Sequence, residues 1–148
     1  MELLYLEDLS AGMRFESGSF AVDEEDMKRF AQQFDPQPFH LDEEAGRSTF
    51  FGGLVASGWY TAAITMRLWT SGGLPFACGV IGMGGEIGWL KPVRAGDVLR
   101  VVSTIVDVTT SKSKQDRGIV AVSADTLNEA GDVVFNARPR FLVFARPR

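Results

Sequence analysis

From residue 57 to residue 69 the chain carries a helix-forming run that is apolar on nearly every side. Trp59, Ala62, Ala63 and Met66 make one stripe at helical spacing, and Tyr60, Ile64 and Leu68 fill another. A helix with so little polar circumference must be surrounded by its fold or by a membrane. Residues 50–69 are long enough to span a bilayer, but Gly52, Gly53, Ser57, Gly58 and Arg67 interrupt them. The run is therefore predicted to be a helix buried in a soluble fold, with the remaining elements wrapped around it.

The segments available for wrapping are mostly strands. Residues 14–22 are β-prone and predict a first strand. Residues 23–34 predict an amphipathic helix: Asp23 caps it, Glu24, Glu25 and Asp26 favour its positive end, and Met27, Phe30, Ala31 and Phe34 form the apolar stripe. Pro36 ends that helix, and residues 42–47 predict a short helical turn. Beyond residue 80 the pattern becomes β. Residues 80–90 are glycine-rich, and 98–109, 118–127 and 133–144 are the strands that follow. Asn128-Glu129-Ala130-Gly131 makes a tight hairpin, residues 111–117 form a longer polar loop, and Pro139 predicts a bulge or a sheet edge. The order predicts an α+β domain over residues 1–148, with an antiparallel sheet around a central helix.

Charge and cysteine content exclude several functions. A net charge of −4 argues against nucleic-acid binding, which needs a basic face. One cysteine, Cys78, and one histidine cannot build a disulfide framework or a Cys/His metal site. Cys78 is expected to be a buried, inert thiol in a reducing cytoplasm. The acidic start, Met1-Glu2-Leu3-Leu4-Tyr5-Leu6-Glu7-Asp8, does not resemble a signal peptide.

The single histidine, His40, lies in Phe34-Asp35-Pro36-Gln37-Pro38-Phe39-His40. Two prolines predict a stiff extended segment that fixes the Asp35 carboxylate relative to the imidazole. Such a pair can share a water, take its proton and return one, which is general acid–base chemistry. The alternative is a surface loop in which Asp35 caps and His40 packs. A second element, Phe51-Gly52-Gly53-Leu54-Val55-Ala56-Ser57-Gly58-Trp59, leads into the buried helix. With Ser57 as N-cap, Gly58 has an unsatisfied N–H at a positive helix end, suited to a developing oxyanion. The glycines could equally serve only close packing.

These stretches resemble a known family. Asp35-Pro36-Gln37-Pro38-Phe39-His40 resembles the Asp-x-Asn-Pro-x-His signature of MaoC-like dehydratases, also called (R)-specific enoyl-CoA hydratases. The Phe51-Gly52 to Ser57-Gly58 stretch resembles their helix start, and Trp89-Leu90-Lys91-Pro92-Val93-Arg94-Ala95-Gly96-Asp97 resembles their (Phe/Trp)-x-x-Pro-Val-x-x-Gly-Asp strand motif. The resemblance implies a hot-dog fold, a dimer or larger homo-oligomer, and hydration of an acyl-CoA or acyl-carrier-protein thioester. It implies Asp35 and His40 as the catalytic dyad and Gly58 as donor to the thioester oxygen, with Ser57 and Gly53 beside it. No cofactor is implied, since coenzyme A belongs to the substrate. Gln37 replaces the family's asparagine, and Ser57 stands where histidine is frequent. Lys112, Lys114 and Arg117 are candidates for the coenzyme A phosphates, with Lys91 and Arg94 behind them; the alternative is a solvated charged loop. The competing activities are a hot-dog thioesterase, disfavoured because residues 57–69 carry no carboxylate, and a non-catalytic acyl-thioester-binding subunit.

Overall fold

In the computed structural model of the chain, which describes residues 2–148, the β-prone segments pair into one antiparallel sheet. Its strands are β1 (Arg14–Ala21), β2 (Ile81–Trp89), β3 (Val98–Thr110), β4 (Arg117–Leu127) and β5 (Val133–Phe144), in the order β1-β3-β4-β5-β2. The β4–β5 hairpin turns at Asn128, whose N–H donates to Asp132 O at 3.0 Å, with Gly131 at φ +84°. The helices are α1 (Glu24–Phe34), α2 (Pro38–Leu41), α3 (Glu43–Arg47) and α4 (Gly58–Leu68). Asp23 caps α1 by accepting the Asp26 N–H at 3.0 Å, and Asp42 caps α3 through the Ala45 N–H at 2.9 Å.

One face of α4 lies on the sheet. Ile64 and Leu68 join Leu99, Val101, Val120, Val122 and Phe141 in a single apolar core. Two polar contacts fix the depth of the helix: Thr65 Oγ1 bonds Thr126 Oγ1 on β4 at 2.6 Å, and Trp69 Nε1 donates to Ser103 Oγ on β3 at 2.9 Å. All four residues are buried, so each bond satisfies groups that would be costly to leave unpaired. A sheet curled over a central helix is the hot-dog fold. Among the described residues, no helix is long and apolar enough to cross a membrane.

The details depart from expectation in five places. Only the Tyr60, Thr61, Ile64, Thr65 and Leu68 side of α4 is buried, while Trp59 and Met66 are 57% and 40% exposed. The sheet covers one side of α4 and Phe30 packs on Tyr60, while on the remaining face Trp59 meets only the edge of Trp89 among the described aromatic contacts. Phe34 is exposed, since it is the last residue of α1, where its ring leans on Phe30. The segment before His40 is not extended throughout, because Pro38 sits in the first turn of α2, where its missing N–H costs nothing. Cys78 is half-buried rather than buried. Finally, β5 is an inner strand: the register shift lies opposite, in β2 between Gly82 and Gly84, and the β4–β5 pairing passes from Ala121↔Arg140 to Ala124↔Ala137 across Pro139.

Gly85 faces Pro139 at φ +146°, and a Cβ there would run into the Arg138 carbonyl and stand 2.7 Å from Pro139 Cα. Gly85→Ala is therefore expected to lower stability by about 1–3 kcal/mol in urea unfolding. An unchanged midpoint and slope would contradict this account of the β2–β5 contact.

Candidate active site

Asp35 and His40 are carried by two short elements that meet. Pro36 disfavours helical geometry at Asp35, which leaves α1 at φ −155°, ψ 65°. Pro38 then starts α2, and the His40 N–H closes its turn on Gln37 O at 2.9 Å. His40 Nε2 comes to 3.2 Å from Asp35 Oδ2, with the imidazole 7% exposed and the carboxylate 18%.

The imidazole is oriented from its other side. His40 Nδ1 lies 2.8 Å from Val55 O. A carbonyl only accepts, so the proton of this bond is on Nδ1, and Nε2 is the nitrogen free to gain or lose one. The Val55 N–H donates to Phe39 O at 2.9 Å, so one residue holds α2 at two points. The segment behind it is tied down as well. Ala56 N–H donates to Val93 O at 2.8 Å, and the Arg94 guanidinium donates to Phe51 O at 2.7 Å and Leu54 O at 3.2 Å.

Both oxygens of Asp35 are engaged. Oδ1 accepts from Gln37 Nε2 at 2.6 Å, and Oδ2 accepts from Ser57 Oγ at 2.7 Å. Burial pushes the carboxyl pKa up, but the hydrogen bonds from Ser57 and Gln37, with the charge of His40, outweigh it. Together they hold the pKa below the ordinary value.

Ser57 has a second task. Its Oγ accepts the Trp59 N–H at 3.2 Å, which makes it the N-cap of α4. The Gly58 N–H has no acceptor among the described residues. A Cβ on Gly58 would lie 2.6 Å from Trp89 Nε1, and that nitrogen donates to Gly58 O at 2.7 Å. The glycine lets the indole of β2 pack on the helix end.

Asp35, His40 and Gly58 line one cavity of 570 Å³, walled by Phe39, Phe51, Trp59 and Trp89 among others, with Lys91 on the same wall. The other expected site residues lie elsewhere. Ser57 is fully buried with its hydroxyl committed to Asp35 and Trp59, so it supports the carboxylate instead of facing a substrate. Gly53 is buried against Glu43, whose Oε1 would be 2.8 Å from a Cβ there, and it is not part of the cavity wall. Lys112, Lys114 and Arg117 sit at or beside the start of β4, roughly 30 Å along that strand from the Thr126–Phe135–Trp89 end at about 3.3 Å per residue. Within one protomer they are not brought to the dyad. Arg117 is bonded to Asp116 and lies over the Phe144 ring. Lys91 pairs with Asp132 at 3.1 Å, and Arg94 is used by the backbone. Two contributors were missed at the sequence level, Gln37 as a donor to Asp35 and Trp89 as the cover of Gly58. Gln37 was visible as a departure from a motif, but its hydrogen bond depends on a turn that sequence spacing does not define.

Comparison with known proteins gives consistent results. The sequence pattern of the MaoC like domain matches residues 10–128. The crystal structure of a MaoC-like dehydratase from Rhodospirillum rubrum is 54% identical, with a TM-score of 0.96 over 98% of this chain and 99% of that one. An uncharacterized Bacillus subtilis (strain 168) protein, YdeM, is 35% identical over 142 residues, covering 93% of this chain and 97% of its own length. The unliganded R-hydratase PhaJ1 from Pseudomonas aeruginosa shares the fold, with 24% identity and a TM-score of 0.73 over 96% of this chain and 86% of that one.

The lowered carboxyl pKa of Asp35 has a defined consequence for stability. Its contribution is complete above the ordinary value of 3.8 and is lost as pH falls through the lower folded value. The stability advantage of the wild type over Asp35→Asn is expected to shrink as pH is lowered below about 4, followed by urea unfolding. An advantage that grows in acid would reverse the sign.

Proposed function

Because the chain belongs to the MaoC-like domain family, we propose that it is a hydratase/dehydratase of the hydro-lyase class, adding water reversibly to a 2-enoyl thioester to give a 3-hydroxyacyl thioester. The observation that carries this is the convergence of a carboxylate–imidazole pair and a free helix-terminal N–H on one apolar cavity.

The reaction assigns a task to each group. A water held by Asp35 and His40 gives a proton to the pair as its oxygen adds to C3. The electrons of the double bond move toward the thioester carbonyl, whose oxygen takes up negative charge at the Gly58 N–H, and C2 then receives a proton. His40 Nε2 suits the transfer because Nδ1 is occupied by Val55 O. Asp35, held ionised by two donors, keeps the water and the imidazole aligned. The aromatic walls accept the acyl chain, and coenzyme A or an acyl-carrier protein is the carrier.

The same proposal includes a homodimer. β2 is an edge strand with one side unpaired, and Ile81, Met83, Ile87 and Trp89 on it are exposed, with Trp89 packed against the exposed Trp59 of α4. An open apolar edge of this kind favours pairing with a second strand. Ile87→Lys places a charge on that flank and is expected to shift sedimentation toward the monomer; an unchanged sedimentation coefficient would place the interface elsewhere.

Loss of enoyl absorbance from crotonyl-CoA tests the activity. Asp35→Asn and His40→Ala are each expected to lower the rate by about 10²–10⁴. Turnover at the wild-type rate in both variants would remove the assignment. Release of free thiol in place of hydration would instead identify a thioesterase.

A further inference from the structure

Asp35 is held from two directions, by Ser57 on one carboxylate oxygen and by Gln37 on the other. The torsion that turns a carboxylate about its Cβ–Cγ bond is soft, with a broad profile instead of three staggered wells. A single hydrogen bond leaves the carboxylate free to swing about it, whereas two bonds on opposite oxygens fix its plane. Ser57, on the rigid start of α4, supplies one bond at 2.7 Å to Oδ2. Gln37 supplies the other at 2.6 Å to Oδ1, because its own N–H is bonded to Asp35 O at 2.8 Å and this tight turn folds its side chain back over the carboxylate. The family motif has asparagine at this place.

We infer that Gln37 is a positioning residue: its amide fixes the plane of the Asp35 carboxylate so that Oδ2 faces His40 Nε2, across which the reacting water is held. Gln37 is solvent-exposed at the cavity edge, so its side chain is not needed by the core. The groups around the carboxylate are few. α2 presents His40, which is titratable; the N-cap of α4 presents the Ser57 hydroxyl; Lys91 lies on the cavity wall with its ammonium paired to Asp132.

The inference rests on the hydratase proposal for its kinetic test but not for its spectroscopic one. Gln37→Met keeps the length of the side chain and removes the donor. It is expected to lower kcat for crotonyl-CoA about tenfold to a hundredfold, with KM changed less than about twofold, as for loss of a hydrogen bond to a charged group. The acid limb of the pH profile should move to higher pH, because the carboxylate loses a donor that favours its ionised form. Gln37→Asn, which retains a donor, is expected to fall between wild type and Gln37→Met. Independently of turnover, the Asp35 carboxyl carbon should titrate at higher pH in Gln37→Met than in the wild type by ¹³C NMR. An unchanged titration would overturn the inference, and so would a shifted titration with unchanged kcat. If the wild type fails to hydrate crotonyl-CoA, the hydratase proposal falls while the titration still decides the role of Gln37.

Discussion

The hydrogen bond from His40 Nδ1 to Val55 O is the contact on which the site depends. It determines which imidazole nitrogen can exchange protons. It also joins α2, which carries the histidine, to the segment that runs directly into α4, which carries Gly58. The Val55 N–H on Phe39 O doubles the link, and Arg94 anchors the chain behind it at Phe51 and Leu54. The His40–Val55 bond is buried and the Arg94–Leu54 bond partly buried, and all of these bonds join residues far apart in the chain. A shift of α2 would break several of them together, so the separation of Nε2 from Asp35 is held by the fold and not by the loop alone.

A second set of contacts joins the acid–base pair to the oxyanion end. Ser57 caps α4 and donates to Asp35, so the helix terminus and the carboxylate share one hydroxyl. The neighbouring residue, Gly58, accepts from Trp89 at its carbonyl and leaves its N–H unpaired. Positions 57 and 58 thus connect both ends of the proposed reaction. Close packing requires glycine at position 58, because the indole of Trp89 occupies the space a Cβ would need.

The flank formed by β2 and the outer face of α4 follows different rules from the core. Four of the nine residues of β2 are glycine, and its large apolar side chains are exposed. This pattern serves poorly as the outer wall of a monomer and well as one half of a shared sheet. The cavity lies beside it, and Trp59 and Trp89 belong both to its wall and to this exposed flank.

Much of this was legible in the chain itself. The strand pattern after residue 80, the cap at Asp23 and the break at Pro36 follow from local rules of periodicity, side-chain capping and proline sterics. Each expected strand and helix therefore lies within a residue or two of its place, while α2 was not foreseen. The candidate dyad and Gly58 stood out because histidine is unique here and because a glycine behind an N-cap has an unsatisfied N–H open to close approach. Local rules could not decide which side of an all-round apolar helix is covered, since that depends on where the sheet ends. Nor could they show that Pro38 starts a helical turn, that Ser57 is consumed by Asp35, or that Gln37 folds back onto the carboxylate. The sequence by itself determined the elements and the chemical groups available. Only the tertiary structure decided their orientation and partners, because hydrogen bonds between residues 22 and 31 positions apart form only when long-range packing brings them together.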